Sequence, residues 1–308
     1  MHRPEVNLFQ HPTTTIYVDD STAFLYSITL AVDLPPFRSF SDPFAALAFI
    51  EEFKQQYEFS SLEEAHALAH DQSSKLSASY HQLVSKKLAD KMRFAEPSVL
   101  VVDYSMPQLN GLDLCSRITN PYIKKVLLTG VADEKIAIRA LNTELIDFYI
   151  SKSESNLSQE LSRVINLLRD RYFKDIFGWT RDARLKSFTA YLYNNDFADY
   201  FEDVYERLCI VEHYPTESPW GFLLVSDAGK TYQFCIESTE NADKEVPRAL
   251  QVKPDISVEP ALIKNGKSPN GYHCYVQQFE GDVDSLKKGS FTNYLQKSEL
   301  TMPFNRSR

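Results

Sequence analysis

The sequence predicts an α/β protein: a doubly wound parallel sheet with a helical insertion, followed by an α+β domain. Three observations predict it. Short, uniformly apolar runs such as residues 99–102 in "SVLVVDYSMPQLNG" suit strands covered on both faces. Such runs alternate with amphipathic stretches of helical length through the first half of the chain. After Gly178 that alternation ends, aromatic residues thicken, and strand pairs joined by turn residues take over.

Taken in order, "TTTIYVDDST" gives a strand over about 14–18 that stops at two carboxylates, Asp19 and Asp20, with Ser21 or Thr22 opening a helix. "PFRSFSDPFAALAFIEEF" gives a short strand near Phe40 and a helix from Pro43. Residues 54–96 interrupt the alternation. There "SLEE" is a capping box, and Leu76, Tyr80, Leu83, Leu88 and Met92 recur near one helical face, either as core or as a partner surface. "SVLVVD" resumes the sheet and ends at Asp103. A short helix from Gly111, the strand "KVLLTG", a helix through "DEKIAIRAL", the strand "IDFYIS" and a helix from Leu157 towards Phe173 complete the first domain.

Residues 1–171 are thus read as one domain and 172–308 as a second. In the second, "SFTAYLYNNDFADYFEDVYERL" reads as a helix or helix pair. "WGFLLVSDAGKTYQFCIES" reads as two strands turning at residues 227–230, "GYHCYVQQFEG" as a further strand, and "SFTNYLQKSEL" as a closing helix.

Bulk properties narrow the function. The 308 residues carry a net charge of −9, which opposes nonspecific adhesion to nucleic acid or anionic membrane. Residues 172–308 hold 16 Lys+Arg against 20 Asp+Glu, so nucleic acid stays possible as a partner without being indicated by charge. The four cysteines lie far apart with no CxxC pairing, as expected of reduced thiols in the cytoplasm. No run reaches the roughly 20 apolar residues of a spanning helix.

The strand ends are the informative places, because open parallel sheets bind ligands beyond the carboxyl ends of their strands. One rim gathers Asp19, Asp20, Asp103, Thr129 and Lys152. Asp103 alone could equally be a cap for the following helix. As a set, three acids, one hydroxyl and one ammonium gathered on one rim are not a chance placement.

The motifs "VDDS", "DYSMPQLNG", "LLTG" and "FYISK" resemble those of two-component response regulator receiver domains. That resemblance implies a five-stranded flavodoxin-like fold. It implies that Asp103 accepts a phosphoryl group from a histidine kinase or histidine phosphotransfer protein. Mg²⁺ would be held by Asp20, Asp103 and the Ser105 backbone carbonyl, with Asp19 acting through water. Lys152 and Thr129 would contact phosphoryl oxygens, and Tyr149 would switch rotamer with Thr129, driving homodimerisation or an output change.

The sequence departs from the pattern in three ways. Asp20 and Asp103 lie 83 positions apart, Gly130 follows the threonine, and Ser153 stands where the family usually has proline. The layout also resembles the Legionella-type quorum-sensing response regulators. An output domain acting on nucleic acid or nucleotides, and an unphosphorylated adaptor, are the alternatives.

Weaker signals have plainer readings. "SDAGKT" lacks the first glycine of a phosphate loop, since Leu224 stands in its place, and reads as a hairpin turn. His66 and His70 lie one helical turn apart with no evident third ligand. Asp255, Glu259 and Lys264 lack the spacing of a nuclease core.

Overall fold

The computed structural model describes residues 6–7, 10–53, 92–130, 134–176, 190–217, 220–238, 261–264 and 271–278. They fall into two compact units. The first holds residues 13–53 and 92–176, and the second holds the described residues up to 12 and from 190 onward. Almost all of the insertion, the "SLEE" box, His66, His70, Asp255, Glu259 and the expected closing helix lie outside the described residues.

The first unit runs β1 (Thr14–Val18), α1 (Thr22–Val32), β2 (Phe37–Phe40), α2 (Pro43–Phe53), β3 (Pro97–Asp103), α3 (Gly111–Arg117), β4 (Lys124–Thr129), α4 (Glu134–Asn142), β5 (Phe148–Ser151) and α5 (Leu157–Ile176). All strand pairs are parallel, in the order β2-β1-β3-β4-β5. Strand side chains alternate between faces, which divides the core in two. Ile16, Val18, Leu100, Val102 and Leu127 pack with Ala46 and Ile50 of α2, Leu114 of α3 and Ala137 of α4. Tyr17, Val99, Val101, Val126 and Ile150 pack with Leu25 and Ile28 of α1 and with Leu161, Val164 and Leu168 of α5. Every residue of β1 and β3 is buried, as their apolar runs require. This is the flavodoxin-like sheet expected from the sequence. Strand order reverses between β1 and β3, so the crevice opens at the carboxyl ends of those two strands.

The second unit contains an antiparallel five-stranded sheet ordered β6-β7-β8-β10-β9, and it fits the expected additional output domain. Its strands are β6 (Ile210–Glu217), β7 (Trp220–Ser226), β8 (Thr231–Ser238), β9 (Ala261–Lys264) and β10 (Gly271–Gln278), preceded by α6 (Asn195–Leu208). The Asn194 side chain caps α6 by accepting from the Phe197 N–H. Phe197, Phe201 and Val204 of α6 cover Phe222, Leu224, Phe234 and Val276. The "SDAGKT" stretch is the β7–β8 turn, with Gly229 at φ 77°, and not a phosphate loop. Gly221 has φ 144°, and a side chain there would run into the Phe234 carbonyl oxygen.

Two strands were absent from the sequence reading. β6 carries Glu212, His213 and Pro215, and proline is tolerated because β6 sits at the sheet edge. There Gln10 bridges His213, which places the described residues before Pro12 in the second unit. β9 has only four residues and is the other edge strand.

Candidate functional site

At the carboxyl ends of β1 and β3 the chain turns from apolar to acidic. Asp19 is 1% exposed and Asp103 is 4% exposed, while Asp20 faces solvent. One carboxylate oxygen from each of the three lies within 4.8 Å of the others. Lys152, just past the end of β5, spans two of them, with Nζ 2.7 Å from Asp19 Oδ2 and 2.8 Å from Asp103 Oδ1. The ammonium therefore neutralises one of three neighbouring negative charges.

The local sequence explains how each group is held. Asp19 Oδ1 accepts the Ser21 N–H at 2.9 Å, and Ser21 in turn caps α1 through the Phe24 N–H. Both Asp19 oxygens are thus engaged. Asp103 Oδ2, by contrast, has no hydrogen-bond partner among the described residues, nor has Asp20. Asp103 does not cap α3; Asn110 does, accepting the Asp113 N–H at 2.9 Å. The strand-end acid is left available for chemistry.

Gly111 begins α3 directly against β3, and its N–H donates to the Tyr104 carbonyl. A Cβ at that position would lie 2.3 Å from the Asp103 carbonyl oxygen. Gly111→Ala is expected to cost about 2 kcal/mol, as overpacking against backbone does. It should also displace Asp103, so urea unfolding should show a lower midpoint at an unchanged slope.

Electrostatics follow from burial and pairing. Burial pushes the Asp19 carboxyl above its ordinary value, partly offset by hydrogen bonds from Lys152 and the Ser21 N–H. Burial alone would lower Lys152, but its bonds to Asp103 and Asp19 outweigh that and raise it. The lysine is a fixed ammonium.

Thr129 is buried at the end of β4, and no described residue bonds its hydroxyl. Its carbonyl accepts the Lys152 N–H at 2.9 Å, which ties the two strand ends together. Tyr149 is half-buried on β5 and lines an open cleft of about 740 Å³ with Leu141, Phe148, Glu160 and Arg163. Ser105 is exposed in the loop after Asp103. One neighbour escaped the sequence reading: the Phe24 ring, whose centroid is 4.6 Å from Lys152 Nζ. Its only sequence signal was its place one helical turn after the cap that follows the acidic pair.

Residues 78–162 match the family described as response regulator receiver domain. The chain carries a response regulator receiver domain. The matched stretch of the receiver domain includes Asp103, Thr129, Tyr149 and Lys152, but not β1 with Asp19 and Asp20, which the insertion separates from it.

The structure of the Legionella pneumophila response regulator LqsR is similar over 99% of this chain and 100% of that one, at 25% identity and a TM-score of 0.72. A receiver domain protein from Clostridium thermocellum matches at 20% identity, with coverage of 52% and 95% and a TM-score of 0.35. A CheY-like receiver domain protein from Methanospirillum hungatei matches at 18% identity, with coverage of 53% and 98% and a TM-score of 0.35. None of the curated proteins matches the chain. Among the described residues, no helix is long and apolar enough to cross a membrane.

Proposed function

We propose that the protein is a phosphorylation-dependent response regulator in which Asp103 takes a phosphoryl group from a histidine kinase or histidine phosphotransfer protein. The observation that carries this reading is the Lys152 ammonium bonded to both Asp19 and Asp103 beside a third, exposed acid. A carboxylate oxygen of Asp103 attacks the phosphorus of the donor. The P–N bond breaks and its electron pair leaves on the imidazole nitrogen. A P–O bond forms, giving an acyl phosphate. Lys152 follows the transferred group and donates to one phosphoryl oxygen, while the Thr129 hydroxyl donates to another.

The donor set fits a hard divalent cation. Three clustered carboxylates carry more negative charge than one lysine offsets, and Asp103 retains an oxygen with open lone pairs. We assign Mg²⁺ to Asp20, Asp103 and the Ser105 backbone carbonyl. Asp19 acts through water because both its oxygens are already bonded. When bound, the cation supplies neutralisation of charge on the transferring group.

Thr129 and Tyr149 then form the switch. Drawing the Thr129 hydroxyl toward the phosphoryl group alters the packing behind it, and Tyr149 answers at the α4–β5–α5 cleft, which switches homodimerisation or output-domain activity. The likeness to LqsR along the whole chain supports signalling of the same kind, with quorum sensing as the proposed context. The test uses Mg²⁺ and acetyl phosphate. Intact mass should rise by one phosphoryl group in the natural protein and not in Asp103→Asn. A gain that survives this substitution sinks the proposal.

A further inference from the structure

Lys152 Nζ has three N–H donors, and two are spent on Asp19 and Asp103. Its remaining side is met by the Phe24 ring at 4.6 Å from Nζ to the centroid, a cation–π contact. Phe24 is not free to wander. Its N–H is held by the Ser21 cap, and its ring also packs against the cluster formed by α1, α5 and the sheet. The lysine side chain is 28% exposed, so without the ring water would reach the ammonium from that side. The same short segment therefore holds both ends of the ion pair: Ser21 fixes Asp19 by its N–H, and Phe24 fixes Lys152 by its ring.

We infer that Phe24 is a positioning residue for phosphoryl transfer, holding the Lys152 ammonium over the two buried carboxylates by the face of its ring. The inference rests on the assignment of Asp103 as phosphoryl acceptor. Lysine is a point charge on a long, rotatable stem, so its place must be set by its neighbours. The carboxylates hold it before reaction. Once Asp103 becomes an acyl phosphate, one of those anchors changes, and the ring and Asp19 are the contacts that stay. Leucine at position 24 preserves apolar cover but lacks the negative ring face, whereas tryptophan offers a stronger one.

Two measurements on the full chain test this. With Mg²⁺ and acetyl phosphate, Phe24→Leu should be labelled about threefold to tenfold more slowly than the natural protein, while Phe24→Trp should stay within about twofold. In metal-free protein, the Lys152 ε-methylene protons should resonate upfield because of the ring. They should return to ordinary positions in Phe24→Leu while other resonances of the acid cluster hold still. A natural protein that labels alongside a Phe24→Leu variant labelled equally fast overturns the inference, as does failure of Phe24→Trp to restore the rate. Unshifted ε-methylene protons in the natural protein overturn it independently. If the natural protein takes no label at all, the acceptor assignment itself is lost, and the resonance measurement alone decides the contact.

Discussion

Lys152→Met should abolish detectable labelling of Asp103 and, in chelator, destabilise the receiver domain by about 3 kcal/mol, the lower end of the cost of removing one partner from a buried pair. The reason lies in the geometry of three acids and one base. Asp19 and Asp103 are almost wholly buried, and Lys152 is the one cation that bonds to both among the described residues. Methionine keeps the stem's volume and removes the charge, leaving two close carboxylates without a counterion. The lower end of the range applies because Lys152 is still 28% exposed, so water softens the loss. Mg²⁺ should restore much of the stability, because a divalent ion neutralises the same carboxylates, but not the labelling, which needs the ammonium on the transferred group. Thermal unfolding with EDTA and with Mg²⁺ measures this directly. Equal destabilisation in both conditions would show that the ion and the lysine do not share the acids.

The second large effect belongs to the other unit. His213 is buried on β6, its Nε2–H donating to the Asn7 carbonyl at 2.8 Å and its Nδ1 accepting from the Tyr205 hydroxyl. The rings of Phe201 and Phe222 meet it edge-on at 5.3 and 5.4 Å, and His11 lies near enough to oppose its charge. Burial lowers its pKa from 6.5 to about 4, with the Asn7 contact opposing that and His11 adding to it. The folded state thus prefers the neutral ring. Its contribution is fully present above the unfolded value and is lost as pH falls from 6.5 through 4. The total is about 3 kcal/mol at the conversion of 1.36 kcal/mol per pH unit. Subtracting the unfolding free energy of His213→Leu from that of the natural protein across this window isolates the ring. A difference independent of pH would mean that the imidazole titrates alike in both states.

Much of this was legible in the sequence because the signals were local. Apolar runs gave β1, β3 and β4, and the abrupt change to polar residues at their ends, Asp19 and Asp20, Asp103 and Thr129, gave most of the rim. Ser21 was legible as a cap because serine at that position satisfies a helix N–H. What stayed hidden depended on neighbours remote in sequence. β6 mixes Glu212, His213 and Pro215, which read as a loop until an edge position and the partner strand β7 explain them. Gln10 pairs with His213 across some 200 positions, and no pattern in the first twelve residues announces it. Phe24 read as one more apolar residue of α1, since a ring serving core and cation together looks like a ring serving core alone.

The excursion between α2 and β3 has a consequence of its own. α2 follows β2 and runs back along the sheet, so the chain departs after Phe53 and returns before Pro97 at the amino ends of the strands. β3 then climbs seven residues, about 23 Å at 3.3 Å per residue, before reaching Asp103. The points where the chain leaves and rejoins the described sheet, Phe53 and Met92, therefore lie at its floor, a full strand length from the Asp103 carboxylate. Changing the length of chain between those two points is expected to leave the acidic rim on the roof in place.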